Sequence, residues 1–297
     1  MSRLLINLLG LFRFLPLPLL RGVGACIGGL LWTVAGRRRR IVQTNLKLCF
    51  PNSDPQERDT LGKKHFVCLV QALLDRSWLW HSPEHTVRAR IRVTGDVNSL
   101  ELLKNLDLTK SAQPLVLFAP HFVGLDAGWT ALGLESSREL ITIFTQQSTP
   151  NMDNWVLAGR TRFGRVRLFR REQGVAEVVR CIKSGAALYL LPDMDFGENE
   201  TVFASFYGQS AATVTSLSRF SKVARAKVLS VVTELNSAGY EVRVSSLWED
   251  FPTGNLQTDT QRMNIELERL ITDMPEQYYW VHRRFKTRPP GEASLYQ

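Results

Sequence analysis

Leu115-Val-Leu-Phe-Ala-Pro-His121-Phe-Val-Gly-Leu-Asp126 is the stretch that decides the fold. Five apolar residues read as a buried strand, Pro120 ends it, and a helical segment carrying an aspartate follows. Outward from it the same alternation recurs. Candidate strands are Leu115–Ala119, Leu140–Phe144, Val166–Phe169, Ala187–Leu191, Val228–Thr233 and Glu241–Ser246, with helical stretches near 122–133, 150–162, 173–184, 211–224 and 258–273. Such alternation indicates an α/β domain with a central, largely parallel sheet flanked by helices. No internal repeat or low-complexity linker interrupts it.

Functional sites in α/β sheets gather at the carboxyl ends of strands, which is where His121 falls. An imidazole takes up a proton near neutral pH, and a carboxylate fixes its tautomer and stabilises its charged form. In an ideal helix, positions five apart point about 140° away from each other. His121 and Asp126 therefore meet only if the histidine precedes the helix or the turn is irregular, as Pro120 and Gly124 allow. H-x4-D alone is a common pattern, and a structural His–Asp pair is the bland reading of it.

The N-terminus has a different character. Residues 4–36 are uncharged except for Arg13 and Arg21 and run into Arg37-Arg38-Arg39-Arg40. As a helix, Phe14–Gly36 is about 34 Å long, roughly the thickness of a bilayer's hydrocarbon. Pro16 and Pro18 weaken its first turns, and Arg21 held mid-bilayer costs roughly 3 kcal/mol. The segment either spans once with Arg21 snorkelling or lies in the interface. The arginine run places everything after residue 40 on the cytoplasmic side. Arg21 and the apolar run beyond it argue against a signal peptide cut near Val23-Gly24-Ala25-Cys26. The chain divides into an N-terminal membrane-binding segment with its basic flank, residues 1–40, and a catalytic domain, residues 41–297. Ser53 or Asp54 caps a further helix that starts at Pro55 and ends in Trp78 and Trp80, which suits an interface belt or a core-facing stripe equally.

Lys and Arg outnumber Asp and Glu by 37 to 28, for a formal charge of +9, which favours an anionic partner. The four cysteines are too scattered for a disulfide framework, and the five histidines lack zinc-ligand spacing. No metal and no cofactor are expected.

Several blocks taken together resemble one family: the late acyltransferases of lipid A biosynthesis, of lauroyl/myristoyl type, within the glycerolipid acyltransferase superfamily. They are Arg39-Arg-Ile-Val-Gln-Thr-Asn45-Leu-Lys-Leu-Cys-Phe-Pro51, Ala119-Pro-His-Phe-Val-Gly-Leu-Asp-Ala-Gly128, Leu191-Pro-Asp193-Met-Asp195-Phe-Gly197, Val202-Phe-Ala-Ser-Phe-Tyr-Gly208 with Ala211-Ala-Thr213, and Gln277-Tyr-Tyr-Trp-Val-His-Arg-Arg-Phe-Lys-Thr-Arg-Pro289. They cover nearly the whole chain, in order. The resemblance implies an acyl-acyl-carrier-protein donor, a lipid A precursor as acceptor, and a place at the inner membrane with the catalytic domain on its cytoplasmic face. It implies His121 as general base and Asp126 as its partner. The family's essential arginine falls on Arg160, in Gly159-Arg160, or on Arg162, and its later aspartate on Asp193.

The wider superfamily leaves another glycolipid or a phospholipid open as the acceptor, and two further readings compete. Asp193-Met-Asp195 matches the D-x-D of a metal-dependent glycosyltransferase, but neither G-x-G-x-x-G nor a P-loop accompanies it. Asp193 is better read as orienting a basic group or capping a turn. A basic, membrane-docked binding protein would use Arg37–Arg40 and His282-Arg283-Arg284-Phe285-Lys286. Beside an apolar segment, lipid headgroups are the simpler target, and no nucleic acid is expected. Gly208-Gln-Ser210-Ala-Ala lacks the second glycine of a nucleophile elbow, so no acyl-enzyme is expected.

Overall fold

The computed structural model describes residues 3–104, 113–171, 174–198 and 200–296. Residue 173, the expected start of the third helical stretch, lies outside them. The core is a seven-stranded sheet built from β1 (Ile91–Gly95), β2 (Leu115–Phe118), β3 (Leu140–Phe144), β4 (Val166–Arg170), β5 (Ala187–Leu190), β8 (Lys227–Asn236) and β9 (Gly239–Leu247). Their order is β1-β9-β8-β2-β5-β3-β4, and every neighbouring pair is parallel except the β8–β9 hairpin.

Every residue of β2 and β5 is buried, as strands covered on both faces require. Leu115 and Leu117 pack with Trp129 and Leu132 of α7 (Leu125–Glu135). Val116 and Phe118 point the other way, toward Val178 and Ile182 of α9 (Val175–Lys183), Phe220 of α10 (Ser216–Ala224) and Leu267 of α11 (Leu256–Asp273). The α/β class and its largely parallel sheet follow the sequence pattern.

Two parts of the fold depart from that pattern. β1 does not stand out in the sequence. Residues 211–214, expected to open a helix, belong instead to β7 (Gln209–Val214), which pairs antiparallel with β6 (Thr201–Phe206). The turn between them, Tyr207-Gly208, has positive φ at both residues (50° and 74°), as a tight two-residue hairpin needs. The helix proper begins only at Ser216.

The chain opens with three helices: α1 (Arg3–Leu11), α2 (Leu17–Val34) and α3 (Gly36–Cys49). The long α4 (Pro55–His81) starts on a capping box: Asp54 Oδ1 accepts from the Gln56 amide at 2.7 Å, and Glu57 Oε2 from the Asp54 amide at 3.0 Å. Trp78 and Trp80 are buried, so the core-facing stripe is the correct reading of its end. Between α4 and the next strands lie the short helices α5 (Glu84–Arg88) and α6 (Val97–Lys104), with α8 (Pro150–Arg160) after β3. Arg21 is buried against Asp75 of α4 at 2.7 Å, and Tyr240 donates its hydroxyl to the same carboxylate at 2.8 Å.

Two imidazoles are structural. His65 is wholly buried and donates from Nδ1 to the Glu276 carbonyl at 3.0 Å, while His282 Nε2 accepts from the Asp195 amide at 3.0 Å. Burial pushes both down to about 4. A folded-state value below the ordinary one favours the neutral ring, so this stabilisation is present above about pH 6.5 and fades as pH falls toward 4. At pH 5 each ring is expected to cost about 2 kcal/mol relative to pH 7.5. Urea unfolding at the two pH values checks this, and His65→Gln is expected to flatten part of the slope.

Candidate active site

Two chain segments of matching form build the site. β2 ends at Phe118 and β5 at Leu190, and the parallel register pairs these residues. Each is followed two residues on by a proline, Pro120 and Pro192, and three residues on by a polar side chain, His121 and Asp193. Equal offsets from paired strand ends bring the two together. The His121 Nδ1–H donates to Asp193 Oδ1 at 2.7 Å, and the His121 amide donates to Oδ2 at 3.0 Å. A buried charge must be met by donors, and this carboxylate has both its oxygens engaged. Burial pulls its pKa up, but the imidazole and the two hydrogen bonds outweigh that and hold it below the usual carboxylate range. With Nδ1 occupied, Nε2 is left as the proton acceptor. The His121 carbonyl accepts from the Tyr279 amide at 2.9 Å, which fixes the turn from its other side.

Asp126 is not the carboxylate that holds the imidazole. Its Oδ1 accepts from Arg160 Nε at 2.8 Å, and its Oδ2 from Arg76 at 2.9 Å (Nε) and 2.7 Å (Nη2). The physical reason is helical direction: α7 begins at Leu125, so Asp126 in its first turn points toward α4 and α8, away from His121. Burial raises its pKa, yet the Arg160 and Arg76 guanidiniums prevail and the net shift is downward.

The glycine of Gly159-Arg160 has a steric role. Trp80 of α4 lies where a Cβ at Gly159 would be, so glycine lets α8 close on α4 and deliver Arg160. Trp129 Nε1 then donates to the Arg160 carbonyl at 2.7 Å. Of the two arginines left open by spacing, Arg160 is the one on Asp126. Arg162 donates to the Leu79 carbonyl at 3.4 Å and stacks on Phe163.

His121, Arg76 and Arg160 line a cavity of about 500 Å³ whose remaining wall is more apolar than polar, with Leu125, Trp129, Phe144, Val178, Leu190 and Phe220 among its lining. That is the size of a pocket for a small or lipid-like ligand, with apolar walls and several polar groups among them. Arg170 and Arg171 also line it.

The second carboxylate of the D-x-D has structural work. Asp195 accepts from the Thr287 amide and hydroxyl at 2.6 and 2.8 Å and from the Gly197 amide at 2.9 Å. It ties the C-terminal segment to the β5 loop, and the two aspartates serve different partners. The basic run at 282–286 is likewise not a free patch, since Arg284 is buried and donates to the Ala212 carbonyl and Thr213 hydroxyl at 2.8 and 2.7 Å. Sequence reasoning missed Arg76 altogether. It lies near the C-terminal end of α4, fifty residues from its partner, and carries no motif.

The family profile described as bacterial lipid A biosynthesis acyltransferase matches residues 2–287. The lipid A biosynthesis palmitoleoyltransferase of Escherichia coli (strain K12) is 31% identical over 295 residues, which is 98% of this chain and 92% of that protein. The lauroyltransferase of the same organism is 28% identical over 294 residues (98% and 93%), and its myristoyltransferase 27% over 282 residues (94% and 84%). Matched almost end to end, and with a histidine beside a cavity at the head of its parallel sheet, this chain belongs to the bacterial lipid A biosynthesis acyltransferase family.

Proposed function

We propose that this acyltransferase moves a fatty acyl chain from an acyl-acyl-carrier protein onto a hydroxyl of a lipid A precursor by direct attack, with His121 as general base. The single observation that carries the reading is the His121–Asp193 pair, whose imidazole lines the cavity. The acyl chain lies in the apolar part. The acceptor hydroxyl gives its proton to His121 Nε2, and its oxygen attacks the thioester carbonyl carbon. Asp193 keeps the ring in the tautomer that accepts at Nε2 and stabilises the imidazolium as it forms. The tetrahedral intermediate carries an oxyanion, which guanidinium N–H groups not bonded to Asp126 stabilise. When the carbon–sulfur bond breaks, the thiolate takes the proton from the imidazolium, and an ester and a free carrier thiol result.

In this scheme Asp126 acts through Arg160 and Arg76, fixing two flexible cations at the cavity wall. The excess positive charge suits both an acidic carrier protein and the phosphates of the acceptor. The membrane is the inner membrane, with residues 41–297 on its cytoplasmic side, as the arginine run and the apolar α2 support.

His121→Ala is expected to abolish acyl transfer with the protein still folded, and mass spectrometry of the lipid A fraction is expected to lose one acyl group. Near-normal activity of the purified variant would refute the base assignment. Asp193→Asn is expected to lower kcat by roughly two to four orders of magnitude, because the amide no longer fixes the ring or balances its charge. Arg76→Met separates the role of Asp126 from that of a base partner. A loss of roughly tenfold or more in kcat, with the pH dependence of kcat unmoved, is expected if the arginines stabilise charge. A displaced pH profile would instead tie Asp126 and its arginines to the titration of His121.

A further inference from the structure

α2 is the one helix among the described residues long and apolar enough to cross a bilayer, with a mean hydropathy of 1.5 over Leu17–Val34. Its packing argues that it does not. It runs antiparallel along α4 for its whole length. Arg21 meets Asp75 at 2.7 Å, with the two side chains only 11% and 1% exposed. Further along, a Cβ on Gly24 would come within 2.8 Å of the Gln71 side chain, and one on Gly28 within 2.6 Å of the Val67 backbone. Trp32 then lies over Gly62. The glycines exist to let two helix backbones approach.

α4 is no partner for hydrocarbon, because it carries Arg58, Asp59, Lys63, Lys64 and Arg76 besides Asp75. It is also held by the catalytic domain: Arg76 is bound to Asp126 and the His65 ring to the Glu276 carbonyl. Arg21 additionally reaches the Gly239 carbonyl at 3.3 Å, at the start of β9. A crossing α2 would either drag these charges into the bilayer or tear Arg21 from Asp75 and leave both unpaired.

The outward side of the same helices has the opposite character. Of fourteen exposed large apolar side chains among the described residues, eight lie between Leu8 and Val34. Phe14, Leu30 and Val34 are 70%, 62% and 65% exposed, and Leu11 and Leu19 more than half. A concentration of this kind marks an interaction surface. It continues into Arg37–Arg40 of α3: none of the four has a carboxylate partner among the described residues, while Arg38 and Arg39 each donate to a backbone carbonyl, of Val281 and Trp32, at 3.1 and 3.4 Å. Anionic headgroups complement that run. A second copy of the chain on this face would set two such runs against each other.

We propose that α1 and α2 form an in-plane dock, buried in one leaflet of an anionic bilayer by their outer face, and that α2 does not traverse it. The proposal rests on the membrane reading given above and deepens it. Both ends of α2 then lie on the same side of the membrane, and the catalytic domain is held flat against the surface from which a lipid acceptor is drawn.

Two measurements on the full-length protein test it. In sealed inner-membrane vesicles with the cytoplasmic face outward, a membrane-impermeant maleimide is expected to label Ser2→Cys and Ser294→Cys equally from outside. Labelling of Ser2→Cys only after the vesicles are opened would overturn the proposal in favour of a span. Purified protein is also floated with vesicles of phosphatidylcholine containing phosphatidylglycerol. The triple variant Phe14→Glu, Leu30→Glu, Val34→Glu is expected to lose at least tenfold in vesicle binding, while acyl transfer to a detergent-dispersed acceptor stays within a factor of two. If the variant instead dissolves a dimer and binds vesicles as before, a second copy is the occupant and the proposal falls. Neither arm requires the acyl donor or the role of His121 to be as assigned, so the two readings fail independently.

Discussion

A carboxylate with no exposure to solvent, Asp193, sets the terms for everything around it. Desolvating a single ionised group costs several kcal/mol unless hydrogen bonds answer it, so the fold must supply donors at a fixed place. It supplies two from one residue, the ring and the amide of His121. That is possible only because β2 and β5 are neighbours, parallel, and in a register that puts Phe118 opposite Leu190. A slip of one residue in either strand would turn its core side chains to the wrong face and move the histidine or the aspartate away from its partner. The apolar packing of the central sheet and the polar contact at its edge are one constraint seen at two places.

α4 links the two halves of the molecule through consecutive residues. Asp75 faces out to hold Arg21 of α2, and Arg76, about 100° further round the helix, faces in to hold Asp126. Neither contact tolerates the loss of one partner, since each would leave a charge in a poorly solvated place. The apolar N-terminal helices and the cavity are therefore fixed relative to each other by a single rigid element.

The α/β class, six of the seven sheet strands and the strand-end position of His121 were legible in the sequence, because buried strands and the proline that ends one leave strong local marks. β1 was not. Its Ile-Arg-Val-Thr-Gly is as good a loop as a strand until β9 lies beside it. The β6–β7 hairpin was hidden by the small residues of Gln-Ser-Ala-Ala-Thr-Val, which carry little preference of their own. The carboxylate partner of the histidine was misread for a different reason. Sequence proximity favoured Asp126, five residues away, whereas the contact lies seventy-two residues away across paired strands. The repeated form, an apolar strand, then Pro at the second and a polar residue at the third position beyond it, was present at both Pro120-His121 and Pro192-Asp193. It becomes a signal only once β2 and β5 are known to pair. Arg76 had no such mark, since a lone arginine in a long helix reads as a solvated charge.

The pairing found for Asp126 changes what H-x4-D does electrostatically in the proposed reaction. Two guanidiniums on one carboxylate leave the trio with a single net positive charge at the cavity wall. A His121 that is to act as the base must start neutral, so with an ionised Asp193 the pair carries a single negative one. Before reaction the two groups balance. When the imidazole takes the hydroxyl proton, its own pair becomes neutral and the trio's charge is uncompensated at the moment an oxyanion forms beside it. A negative charge that develops away from bulk water is stabilised most by cations already held in place, because nothing need reorient as it appears. Asp126 is the group that holds them. A lone arginine would be free to swing to solvent, and an Asp126 bonded to the histidine would have left both guanidiniums without an anchor.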